Sequence, residues 1–294
     1  MTGFTYSDGS VPYLHHADIT PRARHGFFGA AGGVSSGVYA SLNCGFGSRD
    51  DGALVARNRD LVRGKMGLAP GRMATVCQVH GREAVMAENL CDETDVPMDR
   101  DSLPRADGMV TTTPGLGLAI LTADCLPLLL VDGDGRVAGA CHAGWRGAAA
   151  GIVNTTVALM RDRGAGRITA MIGPTIRQPS YQVGADMRAE LLDSVSPAIR
   201  DLAAQCFHAD GDRHYRFDLP GLVRHQLVAN AVTEVLDCRI DTYTSMRKGE
   251  SLARSSDAGP DSDPDSVAYF SHRRATHAGK TDCGRQIAVI ALAG

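Results

Sequence analysis

Three short segments of this sequence share one design. Thr75-Val76-Cys77-Gln78-Val79-His80-Gly81, Leu121-Thr122-Ala123-Asp124-Cys125-Leu126-Pro127 and Ala140-Cys141-His142-Ala143-Gly144-Trp145-Arg146-Gly147 each run from apolar residues into a soft metal ligand, then into a small or turn-forming residue. Strand ends are rigid and the loops beyond them accessible, so functional groups gather there. His80, Cys125 and His142 together would make a borderline-soft donor set that suits one zinc ion and leaves a fourth position for water or substrate. The thiolate offsets one metal charge, and the remaining charge lowers the pKa of bound water toward ~7. Copper can substitute, because it outcompetes zinc at many nitrogen and sulfur sites. Asp124, beside Cys125, reads either as a proton shuttle or as a structural support. Taken singly, each ligand has a plainer explanation: a buried cysteine packs as a small hydrophobe, and a core histidine is satisfied by hydrogen bonds. No CxxC pair or finger spacing links the three.

Two further stretches carry polar groups. Gly144-Trp145-Arg146-Gly147 precedes a helical pattern, where free N–H groups, the helix dipole and Arg146 favour an anion; a tight strand–helix turn with Trp145 as packing explains it equally well. In the N-terminal third, Gly32-Gly33-Val34-Ser35, Ser41-Leu42-Asn43-Cys44-Gly45 and Asn58-Arg59 combine close-approach glycines with sugar- or phosphate-binding side chains.

The elements that must position these groups are strands and helices in alternation. Residues 71–79 read as a strand ending at His80. Residues 117–122 and 126–132 read as two buried strands joined by a functional turn, the second closed by Asp132-Gly133-Asp134-Gly135. Residues 136–141 lead as a strand into His142. Ile152, Thr156, Leu159 and Met160 place a helix over residues 148–163, stopped by Gly164. A strand is expected at 168–172, a helix from 186 to 192, a helix over 217–231 with Asp218 as N-cap and Pro220 in its first turn, and a closing strand at 285–292. This mixture predicts an α/β or α+β fold with mixed strand direction. Residues 91–107, acidic and proline-bearing, read as a surface excursion, and 248–266, rich in Ser, Asp, Gly and Pro, as a flexible insertion.

Bulk properties narrow the function. The 294 residues are 44% hydrophobic and 21% charged, enough to bury a sizeable core in one domain spanning 1–294 or in two small ones. A net charge of −3 and 5% aromatic content argue against a nucleic-acid partner. The most apolar stretch, 116–131, is interrupted by Asp124 and Pro127 and is too short for a membrane span. No targeting segment is visible, which favours the cytoplasm, and the eight cysteines are expected as reduced thiols. Monomer is the expected state.

In order along the chain, GGVS (32–35), SLN (41–43), QVHG (78–81), TADCLPLLL (122–130), CHAGWRG (141–147), IGP (172–174), YQVG (181–184) and FSHRR (270–274) resemble the YfiH-like family, also known as laccase-like multicopper polyphenol oxidoreductases. The resemblance implies a layered α/β/β/α sandwich with mixed sheets and a zinc ion on His80, Cys125 and His142. It implies purine nucleoside chemistry, namely phosphorolysis of adenosine, inosine and methylthioadenosine and deamination of adenosine, with peptidoglycan-precursor editing assigned to some bacterial members. It also places Asn43 and Arg59 at the substrate pocket. Thr175, Asp241 (in Asp241-Thr242), His272, Ala275 and Cys283 (in Cys283-Gly284-Arg285) depart from the family pattern, and substrate preference is what they affect. The alternative chemistry is a cysteine hydrolase or amidase with Cys125 as nucleophile and His142 as base. A metal-dependent binding module is a further alternative. A four-copper laccase is rejected, since the 10 histidines contain no His-x-His pair.

Overall fold

The computed structural model describes residues 3–88, 90, 102–232, 234–245 and 268–293. The insertion expected at 248–266 and most of the excursion expected at 91–107 lie outside the described residues. In chain order the strands are β1 (Phe4–Tyr6), β2 (Tyr13–His16), β3 (Ala23–Phe28), β4 (Met73–Ala74), β5 (Ala84–Met86), β6 (Gly108–Thr111), β7 (Gly117–Thr122), β8 (Leu126–Asp132), β9 (Ala138–Ala143), β10 (Ile168–Ile172), β11 (Gln182–Gly184), β12 (Phe207–Ala209), β13 (His214–Phe217), β14 (Glu234–Asp237) and β15 (Gln286–Leu292). The α-helices are α1 (Gly52–Lys65), α2 (Trp145–Ala150), α3 (Ile152–Asp162), α4 (Ala185–Ser194), α5 (Arg200–Gln205), α6 (Leu219–Ala229) and α7 (His272–His277).

Two mixed six-stranded sheets carry the site. One has the order β1-β2-β3-β15-β7-β4 and the other β14-β10-β8-β9-β6-β5; β11-β13-β12 make a small antiparallel third. Pairing is antiparallel except at β4–β7, β5–β6 and β10–β14. The layering follows from the two-residue period of a strand. On β8, Leu126, Leu128 and Leu130 pack with residues of α2, α3 and α6, while Leu129 and Val131 pack against Phe27, Ile120 and Ile290 of the first sheet. On β15, Ala288 and Ile290 face that inter-sheet core, whereas Ile287, Val289 and Ala291 pack beneath α1 with Val62 and Met66. The order is therefore helix, sheet, sheet, helices: the expected α/β/β/α sandwich. Strands buried on both faces read as continuous apolar runs, and this is why β7, β8 and β10 stand where the sequence places them.

Two expected elements differ. The strand over 71–79 shrinks to Met73–Ala74 plus a single bridge from Cys77 to Arg105. Gln78 takes over the pairing with β7, donating its Nε2 to the Leu121 carbonyl and accepting from the Leu121 amide, both at 2.8 Å. The helix expected over 148–163 is two helices. Gly151, at φ +96°, closes α2 and opens α3, a left-handed turn that glycine adopts without strain. As expected, the Asp218 side chain caps α6 by accepting from Gly221 N. No helix among the described residues is long and apolar enough to cross a membrane, and the seven described cysteines are free.

Candidate metal centre

β7 and β8 are consecutive in sequence but belong to different sheets, so the turn Ala123-Asp124-Cys125 crosses from one to the other. It brings Cys125 beside His142, near the end of β9, and His80, on the loop before β5. The ligand atoms of these three residues all lie within 4.8 Å of one another, the one such cluster of three or more His, Cys, Asp or Glu among the described residues. Cys125 Sγ stands 3.9 Å from His80 Nε2, and the two imidazoles meet edge to face with centroids 4.7 Å apart. Around a tetrahedral zinc, ligand atoms are roughly 3.4–3.8 Å apart, so the cluster reaches coordination geometry by closing about 1.4 Å at most. His142 is buried, Cys125 half-buried and His80 exposed, so the cluster opens to solvent on the His80 side.

Asp107 organises two of the ligands. Its Oδ1 accepts from His142 Nδ1 at 2.7 Å and from the His80 amide at 3.0 Å; its Oδ2 accepts from the amides of Gly81 and Val79 at 2.7 and 3.1 Å. With one proton held on His142 Nδ1, Nε2 is the nitrogen that would ligate once it gives up its own proton, the usual carboxylate–histidine support of a metal ligand. The same carboxylate clasps the loop that bends through His80, whose φ is +59°. Burial alone would raise the Asp107 carboxyl, but His142 and the two amides outweigh it and hold it below the usual carboxylate range. Burial likewise opposes the Cys125 thiolate, yet the charges and hydrogen bonds of His142 and His80 pull the thiol down to about 6. For His142, burial is outweighed by Cys125 and Asp107, which raise it to about 9. These are the electrostatics of a site built to hold a thiolate beside cationic charge. Asp107 was not singled out in the sequence because it closes an acidic stretch expected at the surface; it is fully buried.

Both carboxylate oxygens of Asp124 are engaged by hydrogen bonds. Its φ of +82° turns the carboxylate toward the C-terminal segment, where Oδ1 accepts from Thr242 Oγ1 at 2.6 Å and Oδ2 from Ser271 Oγ and the Arg273 amide at 2.9 and 2.7 Å. Its carbonyl accepts from Thr175 Oγ1 and Ile176 N. Thr175, one of the positions that depart from the family pattern, and Thr242 thus hold the turn that carries Cys125.

Above the cluster lies a cavity of about 460 Å³, a volume suited to a small organic molecule. His80, Asp124, Cys125, His142, Phe46, Arg59, Tyr181, His272, Arg273 and Arg285 are among its lining residues. Of the three residues expected as substrate contacts, Arg59 lines this cavity. Asn43 and Arg146 are not among its lining residues. Asn43 is fully buried and its carboxamide is consumed locally, Nδ2 donating to Ser48 and Asp50 and Oδ1 accepting from the amides of Gly45 and Arg285. Arg146 is exposed, stacked 4.2 Å over the Trp145 ring and 3.4 Å from Glu190. The Gly-Trp-Arg-Gly segment is therefore the tight turn, with Trp145 packed on the core.

Gly144 shows why that turn begins with glycine. A Cβ there would stand 2.8 Å from His80 Cδ2 and 3.1 Å from Cys125 Sγ. Gly144→Ala is expected to push both ligands apart and weaken metal binding by about tenfold or more, measured by competition with a chromophoric chelator. Unchanged affinity would mean that the cluster does not act as one binding site.

Fold and site together define an α/β protein of two main sheets with a His–Cys–His cluster at the floor of a cavity. The chain belongs to the YfiH-like family: residues 24–293 match the family model described as multi-copper polyphenol oxidoreductase laccase. It is 40% identical over 183 residues to a purine nucleoside phosphorylase of Streptomyces coelicolor, covering 62% of this chain and 72% of that one. It is 37% identical over 180 residues to a purine nucleoside phosphorylase of Rickettsia conorii, covering 60% and 69%. The crystal structure of the hypothetical protein YfiH of Bacillus licheniformis superposes with a TM-score of 0.80 at 24% identity, over 98% of both chains, and shows the same fold.

Proposed function

We propose that this protein is a zinc-dependent purine nucleoside enzyme that phosphorolyses adenosine, inosine and methylthioadenosine and deaminates adenosine, the whole chain working as one YfiH-like domain. The observation that carries the reading is the convergence of His80, Cys125 and His142 at the floor of a nucleoside-sized cavity, in a chain whose relatives bear the name purine nucleoside phosphorylase. The donor set fits the ion: two imidazoles, one of them held in the ligating tautomer by Asp107, and a thiol already drawn toward the thiolate. When bound, zinc supplies Lewis-acid polarisation of a reactant held beside it. His80, the exposed ligand, faces the approach of the substrate. Phe46 and Tyr181 offer aromatic faces to the purine, and Arg59, Arg273 and Arg285 supply positive charge for phosphate. Asp124 keeps the Cys125 turn in place and is not the proton shuttle.

Metal-loaded protein given adenosine and phosphate is expected to release adenine and ribose 1-phosphate, and without phosphate to release inosine; chromatography of the products reads both. Appearance of neither product ends this reading. Metal analysis is expected to find one zinc per chain, and several coppers per chain would restore the laccase alternative.

A second reading, a cysteine hydrolase acting on an amide such as a cell-wall precursor, is favoured by one observation: Cys125 Sγ lies within 4.8 Å of a His142 ring nitrogen, and the charges of His142 and His80 draw its thiol down to about 6, as in a nucleophile–base pair.

A further inference from the structure

A second cavity, of about 290 Å³, shares α7 with the first. Its volume is at the lower end of the range for small-molecule sites. Ser271, Arg274, Ala275 and Ala278, at the three- and four-residue spacing of one helix face, line the second cavity, whereas His272 and Arg273 line the first. The short helix is therefore a wall common to both.

The lining of the second cavity has two halves. One is apolar: Val38 and Ala40 on the facing loop, with Phe270 and Ala275 on the α7 side. The other is cationic and carries no counter-charge. None of the described lining residues is acidic. Lys280 is exposed, and its ammonium makes no ion pair or hydrogen bond among the described residues. Arg274 is fixed by backbone alone, Nη1 donating to the carbonyls of Thr242, Tyr243 and Ser245 and Nη2 to that of Tyr269. No carboxylate pairs with it among the described residues, and its Nε–H meets no acceptor there. A guanidinium keeps its charge under such restraint, and a flexible ammonium beside it can reach a ligand. A strongly hydrated dianion would lose its water to the apolar walls without replacement, while a single carboxylate on an apolar body matches both halves.

We propose that the second cavity is a regulatory site for a small monocarboxylate with an apolar body, and that its occupancy tightens the metal centre. The link is Ser271, which lines the second cavity and caps α7. Its Oγ accepts from Arg274 N at 3.1 Å and donates to Asp124 Oδ2 at 2.9 Å, and the Arg273 amide donates to the same oxygen at 2.7 Å. Asp124 in turn carries the Cys125 turn. A helix of six residues has little stability of its own, so a ligand packed on α7 holds Ser271 and, through it, the turn. Linkage makes the effect mutual: metal and carboxylate strengthen each other's binding by one common factor. Nucleoside chemistry plays no part in this binding, which is read on metal-free and metal-loaded protein alike.

The probes are benzoate, benzyl alcohol and benzylamine, which share a ring and differ in charge, titrated by ligand-observed NMR. Benzoate is expected to bind, benzyl alcohol to bind about tenfold or more weakly, and benzylamine not to bind. Lys280→Gln removes the mobile charge and is expected to weaken benzoate by about threefold or more, with benzyl alcohol unchanged. Ala278→Leu fills the cavity from an exposed position and is expected to abolish benzoate binding. Both variants are expected to melt like wild type; Arg274 is left intact in each because it pins four carbonyls. Saturating benzoate is expected to raise zinc affinity, read by chelator competition, by about fivefold, and zinc loading to raise benzoate affinity by the same factor. Wild type that binds no benzoate overturns the site. So does benzylamine that binds as well as benzoate. Ala278→Leu that binds benzoate like wild type overturns it too, by placing the ligand in the first cavity. Zinc affinity unmoved by bound benzoate overturns the regulatory role.

Discussion

Asp107→Asn is expected to lower metal affinity by about 10–100-fold, with nucleoside turnover falling alongside, although Asp107 touches no reactant. The carboxylate accepts four hydrogen bonds, and each of its oxygens faces only donors. An amide cannot do this in either orientation. With its nitrogen in place of Oδ1, it faces the His142 ring and the His80 amide. The ring must then accept at Nδ1, which moves the ring proton to Nε2 and removes the lone pair that ligates. With its nitrogen in place of Oδ2, it faces the amides of Val79 and Gly81. The clasp on the His80 loop opens, and each buried donor left without an acceptor costs about 1–3 kcal/mol. Asp107→Ala loses all four bonds and is expected to destabilise by about 3–5 kcal/mol, as when one member of a buried ion pair is removed. Chelator competition and thermal melts measure the two effects. Affinity in Asp107→Asn within twofold of wild type would show that the His142 tautomer is set by something else.

The second large effect separates the two chemistries open to Cys125. Iodoacetamide is expected to modify chelator-stripped protein at Cys125 at pH 7 at least tenfold faster than zinc-loaded protein, in which the sulfur is engaged. The thiol is drawn down to about 6, so roughly 90% of it is thiolate at pH 7. Because the pKa is lowered, reactivity is full above pH 7 and fades as pH falls through 6. Cys44, Cys141, Cys206 and Cys238 are pushed up to about 12 by burial and stay protonated and inert. Peptide mass mapping identifies the modified residue. Stripping is also expected to abolish turnover, with recovery on adding zinc. A Cys125 nucleophile gives the opposite pattern: alkylation at one rate with or without zinc, and turnover indifferent to the chelator.

What the sequence made legible follows from where side chains point. β7, β8 and β10 are buried along their lengths, so unbroken apolar runs ended by turn residues mark them within a residue. His80, Cys125 and His142 are legible because each ends such a run. Asp107 is not, since a carboxylate after an acidic stretch has the composition of a surface loop and only the folded chain shows the four donors it meets. Asn43 and Arg146 lie off the cavity for a related reason. Residue type announces a hydrogen-bonding group but not its partner: Asn43 is engaged with Gly45, Ser48, Asp50 and Arg285, and Arg146 with Glu190. The pairing of Gln78 with β7 is a side chain imitating a backbone, which no strand periodicity reports. Arg59 was legible as a polar group near the pocket; that it lacks a counter-charge is a fact of three dimensions.

The position of β15 between β3 and β7 has a consequence for biosynthesis. A nascent polypeptide that has left the ribosome as far as His142 already contains His80, Cys125 and His142, but its first sheet has a gap where β15 belongs. Asp124 still lacks the hydroxyl of Ser271 and the amide of Arg273 that hold its turn. On the proposed reading, an ion is expected to be held firmly only once β15 has filled that gap and Ser271 and Arg273 have fixed the Asp124 turn.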